Sequence, residues 1–132
     1  MSEQDYCPCQ STELYAQCCQ PYHIGDAVPA SAVELMRSRY AAFVLRLQDY
    51  LVRTTHPAKT PTSLRSDLQA TFATVQWTGL QILSTSQGGP ADKMGKVKFE
   101  AKYTEAGVLR SMVEHSRFRR RAGIWYYFDG KG

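Results

Sequence analysis

A chain of 132 residues, 43% of them hydrophobic, can bury one core of about 100 residues and carry a small appendage beside it. No apolar run approaches the roughly 18 residues needed to span a membrane, and no repeat or low-complexity stretch occurs. The net charge of +4 is unevenly shared: residues 1–30 hold Glu3, Asp5, Glu13 and Asp26 without any Lys or Arg, whereas residues 31–132 set all sixteen Lys and Arg against the other eight acids. The acidic start should therefore pack against the basic remainder.

All four cysteines lie near the start, as Cys7-Pro8-Cys9 and Cys18-Cys19. Disulfides fit this spacing poorly. Cys7 and Cys9 are too close for an easy bridge, and joining Cys18 to Cys19 would close a strained ring. Crossed bridges are sterically possible but belong in a secreted protein, and the polar stretch Met1 to Asp5 does not resemble a signal peptide. The expected setting is cytoplasmic. Four thiolates match the tetrahedral, closed donor set of a structural zinc. Disulfides or free thiols, another thiophilic metal and an iron–sulfur centre are the alternatives. His23, four residues past Cys19, could replace one cysteine ligand. A closed site leaves no position for water or substrate, so the metal is expected to fold a segment too short for its own core.

Turn chemistry at Gly25 to Pro29 marks a boundary, placing a zinc finger at 1–28 and a second domain at 29–132. Ser31-Ala32-Val33-Glu34 has the form of a capping box. The helix it opens carries apolar residues at Val33, Met36, Tyr40, Phe43, Val44, Leu47 and Leu51, and should run to about Thr55, before His56-Pro57. A second helix is expected after Pro61, capped by Thr62 or Ser63, with Leu64, Leu68, Phe72 and Val75 on one side.

Beyond Trp77 the period becomes two. Leu80 to Leu83 reads as a strand that Gly88-Gly89-Pro90 ends, and Val97, Phe99, Ala101 and Tyr103 alternate with charged residues in the next. Gly107 marks a hairpin, a long strand spans Leu109 to about Arg120, and a last one follows Ala122-Gly123. Helices first and an antiparallel meander after them give an α+β fold, with the long helix across a curved sheet.

Arg37 falls on the apolar face of the helix, four residues after Val33 and three before Tyr40. A guanidinium there needs a carboxylate. Glu114 and Ser116 lie between Met112 and Phe118 on one side of the long strand, so Arg37 and Glu114 are expected to meet in a polar cluster with Ser116, Tyr40 and His56. Such a cluster is either a ligand pocket or a buried ion pair that fixes helix on sheet.

CPCQSTELYAQCC, beginning at Cys7, resembles the SEC-C zinc finger, whose usual form is CPCGSGxxYxxCC and which also ends many SecA translocation motors. His23, Gly25, MRSRYAAF at 36–43, Thr55-His56-Pro57, Trp77, EHSRF at 114–118 and WYYFDG at 125–130 extend the likeness over nearly the whole chain, to the YchJ-like family of small bacterial proteins. The resemblance implies a finger followed by a nuclear transport factor 2-like (cystatin-like) cone, with zinc on Cys7, Cys9, Cys18 and Cys19. Gln10 and Thr12 stand where the finger usually has glycines, so a left-handed backbone there would carry strain. Glu13, Leu14, Ala16 and Gln17 replace its usual lysines, which weakens any carry-over of binding to acidic partners such as an export chaperone.

The leading functional expectation is a non-enzymatic zinc adaptor with a protein partner, tied to translation or protein export. An alternative is a small polar ligand or catalysis in the cone, where acid–base work would fall to Glu114 or His56. A second alternative is RNA on the basic face formed by Lys96, Lys98, Lys102, Arg117, Arg119, Arg120 and Arg121, although no aromatic-studded RNP1 motif accompanies it.

Overall fold

A computed structural model describes residues 5–132; of the polar start weighed above as a signal peptide, residues 1–4 lie outside the described residues. Four α-helices precede four strands: α1 Gln20–His23, α2 Ala32–Leu45, α3 Gln48–Arg53, α4 Leu64–Thr74, β1 Val75–Gln87, β2 Met94–Glu105, β3 Val108–Arg121 and β4 Ile124–Lys131. The strands form one antiparallel meander in chain order, the α+β arrangement that the change of period implies.

Ser31 caps α2 as expected, its hydroxyl accepting from the Glu34 amide at 3.3 Å. The Glu34 carboxylate does not complete the box. It accepts instead from the Tyr22 hydroxyl at 2.9 Å and the Ala30 amide at 3.4 Å. The helix expected to reach Thr55 stops at Leu45, because Arg46 adopts a left-handed backbone with φ 60°. Leu47 N–H then bonds Ala42 C=O at 2.8 Å and Arg46 N–H bonds Phe43 C=O at 3.3 Å, a Schellman closure without its usual glycine. The break serves two cores. Leu35, Met36 and Tyr40 of α2 face the sheet, while Ala42 joins Tyr50 and Leu51 of α3 and Leu68 and Phe72 of α4 in a separate cluster. One straight helix could not point both sets correctly.

β1 is thirteen residues long, far beyond the Leu80–Leu83 stretch legible in the sequence. Its register slips between Trp77 and Gly79 and again between Ile82 and Ser84, and such bulges erase a simple alternation. β2 behaves as read: Val97, Phe99 and Ala101 are buried and Tyr103 is half-buried. The β2–β3 and β3–β4 hairpins turn at Ala106-Gly107 (φ 52° and 78°) and Ala122-Gly123 (φ 52° and 80°), left-handed pairs that match the twist of the strands.

The main core joins Leu35, Met36 and Tyr40 to Leu80, Val97, Phe99, Phe118 and Trp125 from all four strands. The start of α2 is clamped onto the sheet by one backbone and one side-chain hydrogen bond. Ala32 N–H donates to Gly88 C=O at 2.9 Å, and Trp125 Nε1–H donates to Ala30 C=O at 3.3 Å. A Cβ on Gly95 would come within 2.6 Å of the Gly88 Cα and 2.9 Å of the Ala32 methyl, so only glycine fits there.

Candidate metal centre

The first cysteine pair sits in a tight loop closed by a bridge between Tyr6 and Leu14. Cys7 N–H bonds Glu13 C=O at 2.8 Å, and Gln10 N–H bonds back to Cys7 C=O at 3.1 Å. Gln10 and Thr12 both adopt positive φ, 64° and 71°, so this loop keeps the glycine-type backbone without the glycines. A 3-10 turn at Tyr15–Gln17 then presents Cys18, and Cys19 opens α1, its carbonyl accepting from Tyr22 and His23 N–H.

The four Sγ atoms converge within 4.8 Å of one another. Cys7, Cys9 and Cys19 are buried and Cys18 is half-buried; all four are free thiols. Cys9 and Cys18 sulfurs are 3.6 Å apart, far beyond the roughly 2.05 Å of a disulfide. Ser11 Oγ lies 3.2 Å from Cys18 Sγ. Hydrogen bonds shared with Cys7 and Cys9, and then burial, push the Cys19 thiol up, so the cluster resists losing all its protons. A cation among the sulfurs would hold all four as thiolates, so this cluster can hold a metal ion.

His23 is not part of the cluster. Its Nε2–H donates to Ser38 C=O at 2.8 Å, which leaves Nδ1 to accept from the Tyr15 hydroxyl at 2.6 Å. Burial, the largest influence, lowers its pKa and keeps the ring neutral. His23 thus joins the finger to α2.

Arg37 does the same and is not Glu114's partner. Its Nη1–H donates to Cys9 C=O at 2.8 Å, which places it on the finger side of α2 and out of the cone. Ala41, one turn on, packs directly against the cysteine cluster. Arg53 Nη2–H reaches the carbonyls of Tyr22 and His23 at 3.0 and 3.1 Å, and Gln10 Nε2–H reaches Thr78 C=O of β1 at 3.4 Å. The basic body does meet the acidic finger, but these arginines satisfy carbonyl oxygens.

The buried arginine of the cone is Arg39. It lies four residues after Leu35 and three after Met36, both buried, but Arg37 has Val33 and Tyr40 at the same spacings, so spacing alone does not separate the two. Its Nη1–H donates to Leu51 C=O (3.0 Å), Thr54 Oγ1 (2.7 Å) and Thr55 Oγ1 (3.3 Å), and its guanidinium carbon stands 4.5 Å from the Tyr127 ring centroid. Arg39, Tyr40, Glu114, Ser116 and Tyr127 all border a cavity of about 430 Å³ between α2, α4 and the sheet. Ser116 Oγ donates to Glu114 Oε2 at 2.5 Å and the Tyr127 hydroxyl approaches it at 3.4 Å. Burial and then Glu114 push the Tyr127 phenol up to about 12, and burial brings Arg39 down to about 10. His56 is outside this group. Its Nδ1 accepts from Ala58 N–H at 3.1 Å and its ring stands against Tyr126 and Phe128.

On the other face of the sheet, Lys96, Lys98, His115, Arg117 and Lys131 border an open groove of about 650 Å³. Arg117 is engaged by both oxygens of Asp129 (2.6 and 2.5 Å), and Arg119 sits 4.0 Å over the Phe128 ring. No helix among the described residues is long and apolar enough to cross a membrane.

A family model described as "YchJ, middle NTF2-like domain" matches residues 31–130. A SEC-C motif containing protein from Rhodopseudomonas palustris, solved in solution, is 33% identical over 93% of this chain and 94% of its own, with a TM-score of 0.85. A crystal structure of a SEC-C motif containing protein from Psychrobacter arcticus is 31% identical over 93% of this chain and 80% of its own, at a TM-score of 0.76. A cysteine tetrad docked on the first long helix of an α+β cone, with likeness of this extent, makes the chain a member of the YchJ-like family of SEC-C motif proteins.

Proposed function

We propose that the chain is a zinc-binding, non-enzymatic adaptor of the cytoplasm. Zinc on Cys7, Cys9, Cys18 and Cys19 folds residues 1–28 into a small domain, which the cone of residues 29–132 holds and orients for a protein partner in protein export or translation. The observation that carries this reading is the convergence of four Sγ atoms within 4.8 Å, a soft donor set suited to zinc. Four protein ligands close the coordination sphere and leave the metal no open position for substrate. Apolar side chains on the finger support the docking role: Tyr6, Ile24 and Val28 are 71, 63 and 57% exposed.

Two measurements test the proposal. Metal analysis of the full chain purified without chelator should give about one zinc per chain, falling to near zero in Cys9→Ser. Iron, or no metal at all, would refute the zinc assignment. Affinity capture with the native chain should recover a protein that a Tyr6→Ser, Ile24→Ser, Val28→Ser variant loses while it keeps its zinc. Equal recovery by both would remove the finger as the docking surface.

The cavity of about 430 Å³ favours a second function beside the first, small-molecule binding within the cone by residues the finger does not use.

A further inference from the structure

We propose that the cone cavity binds a small zwitterionic molecule with an apolar body, of the amino-acid class, its anionic end on Arg39 and its cationic end on Glu114.

The chamber has room for it. About 430 Å³ exceeds what one amino-acid-sized molecule fills, and Met36, Phe43, Leu68, Trp77, Phe99 and Met112 supply apolar walls for its side chain. Three charged groups border this apolar space: Lys59 pairs with Asp129 at 3.7 Å, while Arg39 and Glu114 do not neutralise each other, since no ion pair joins Arg39 to any carboxylate among the described residues. Tyr127 keeps them apart. Its ring lies under the guanidinium and its hydroxyl points to Glu114.

Arg39 and Glu114 both hold unused bonding capacity. All three hydrogen bonds of Arg39 leave from Nη1; among the described residues, Nε and Nη2 make none and keep contact with solvent, although the residue as a whole is only 7% exposed. Both donors to Glu114 converge on Oε2, and Oε1 receives none among the described residues. Arg39 is a buried charge without a counter-charge, which is costly, and the half-buried Glu114 has an unused oxygen, so an occupant that supplies an anion to the first and an ammonium to the second gains at both ends. A ligand with one charge would satisfy one end and leave the other unbalanced. Gly130 makes space for the carboxylate. A Cβ there would overlap the Glu114 carboxyl and lie 2.9 Å from the Tyr127 hydroxyl.

The test is NMR titration of the full-length, metal-loaded chain, observing the Trp77 indole N–H and the Met36 and Met112 methyls. The probes are L-leucine, L-methionine and L-phenylalanine, with 3-phenylpropanoate (no ammonium) and 2-phenylethylamine (no carboxylate) as single-charge controls. At least one zwitterion should give saturable shifts at these positions, and each single-charge analogue of phenylalanine should bind about tenfold more weakly than phenylalanine or not at all. Glu114→Gln, and Gly130→Ala through displacement of the carboxylate, should weaken the zwitterion about tenfold and leave 3-phenylpropanoate unchanged. No saturable shift from any zwitterion would overturn the proposal. So would equal affinity for the single-charge analogues, or undiminished shifts in Met112→Trp, which fills the chamber. The proposal does not depend on the metal, and zinc content measured on the same samples lets the two readings fail separately.

Discussion

At the scale of single residues, two positions carry more than their surroundings require. Thr12 is β-branched, yet it holds φ 71°. That conformation costs roughly 1–2 kcal/mol for an L-residue, against the roughly 0.5–1 kcal/mol that glycine loses in unfolded-chain entropy. Thr12→Gly should therefore stabilise the finger by up to about 1 kcal/mol, read as slower zinc transfer to a chromophoric chelator. Faster transfer would show that the threonine side chain contributes more than its backbone costs. His23 is the second. Its folded pKa lies below the usual 6.5 chiefly because it is buried, so the unfolded chain binds the proton more readily. The stability from its neutral form is complete above about 6.5 and is lost as pH falls from there through the lower folded value. An NMR titration of the His23 ring should give a midpoint under 6.5; a midpoint above it would mean that burial does not outweigh the Ser38 carbonyl, which favours the protonated ring. The cysteine tetrad was legible in spacing alone. The cone arginine was not, because Arg37 and Arg39 both touch apolar neighbours on a helical wheel. The finger, folded over one side of α2, claims the first and leaves the second for the cone.

Among the elements, the break at Arg46 decides how the helices cover the sheet. A left-handed residue closes α2, and glycine would adopt φ 60° at little steric cost. Arg46→Gly should raise thermal stability by a few degrees, equivalent to about 0.5–1 kcal/mol, while Arg46→Val should lower it, since a β-branched residue resists that conformation. A continuous helix in either variant, detected as added helical signal, would contradict the two-core explanation. The apolar pattern to Leu51 has the period of one helix, and only the packing shows that Leu51 belongs to a different cluster from Leu35. The hairpins at Gly107 and Gly123 were visible because paired left-handed residues favour glycine. β1 was half hidden, because its two bulges break the alternation that identifies a strand.

For the whole molecule, the question is how far finger and cone stand or fall together. The cone has its own core on four strands, whereas the finger's cluster is made of cysteines, Tyr15 and the small face of Ala41. Chelating the metal should therefore raise hydrogen exchange in residues up to about Val28 and at the exposed side of α2, and leave the strands protected. Loss of protection in β2 and β3 on chelation would make the chain one cooperative unit. The joint itself can be weakened separately. Arg37→Ala removes a charged donor from the Cys9 carbonyl, at a cost of about 1.5–3 kcal/mol, and should speed exchange in the finger while zinc stays bound.

The sequence alone determined the cysteine tetrad, the placing of helices before strands, and the hairpin turns, because each is written in local spacing or in residues with special backbone freedom. Only the tertiary structure decided which arginine enters the cone, where the long helix breaks and whether His23 is a ligand. Those outcomes depend on which faces of α2 the finger and the sheet each occupy, and several residues on that helix are equally apolar in their surroundings until both neighbours are in place. The same holds for the cavity. Glu114 and Ser116 could be assigned to one side of a strand by their period of two, but the charge opposite them and the tyrosine between belong to elements far apart in the chain.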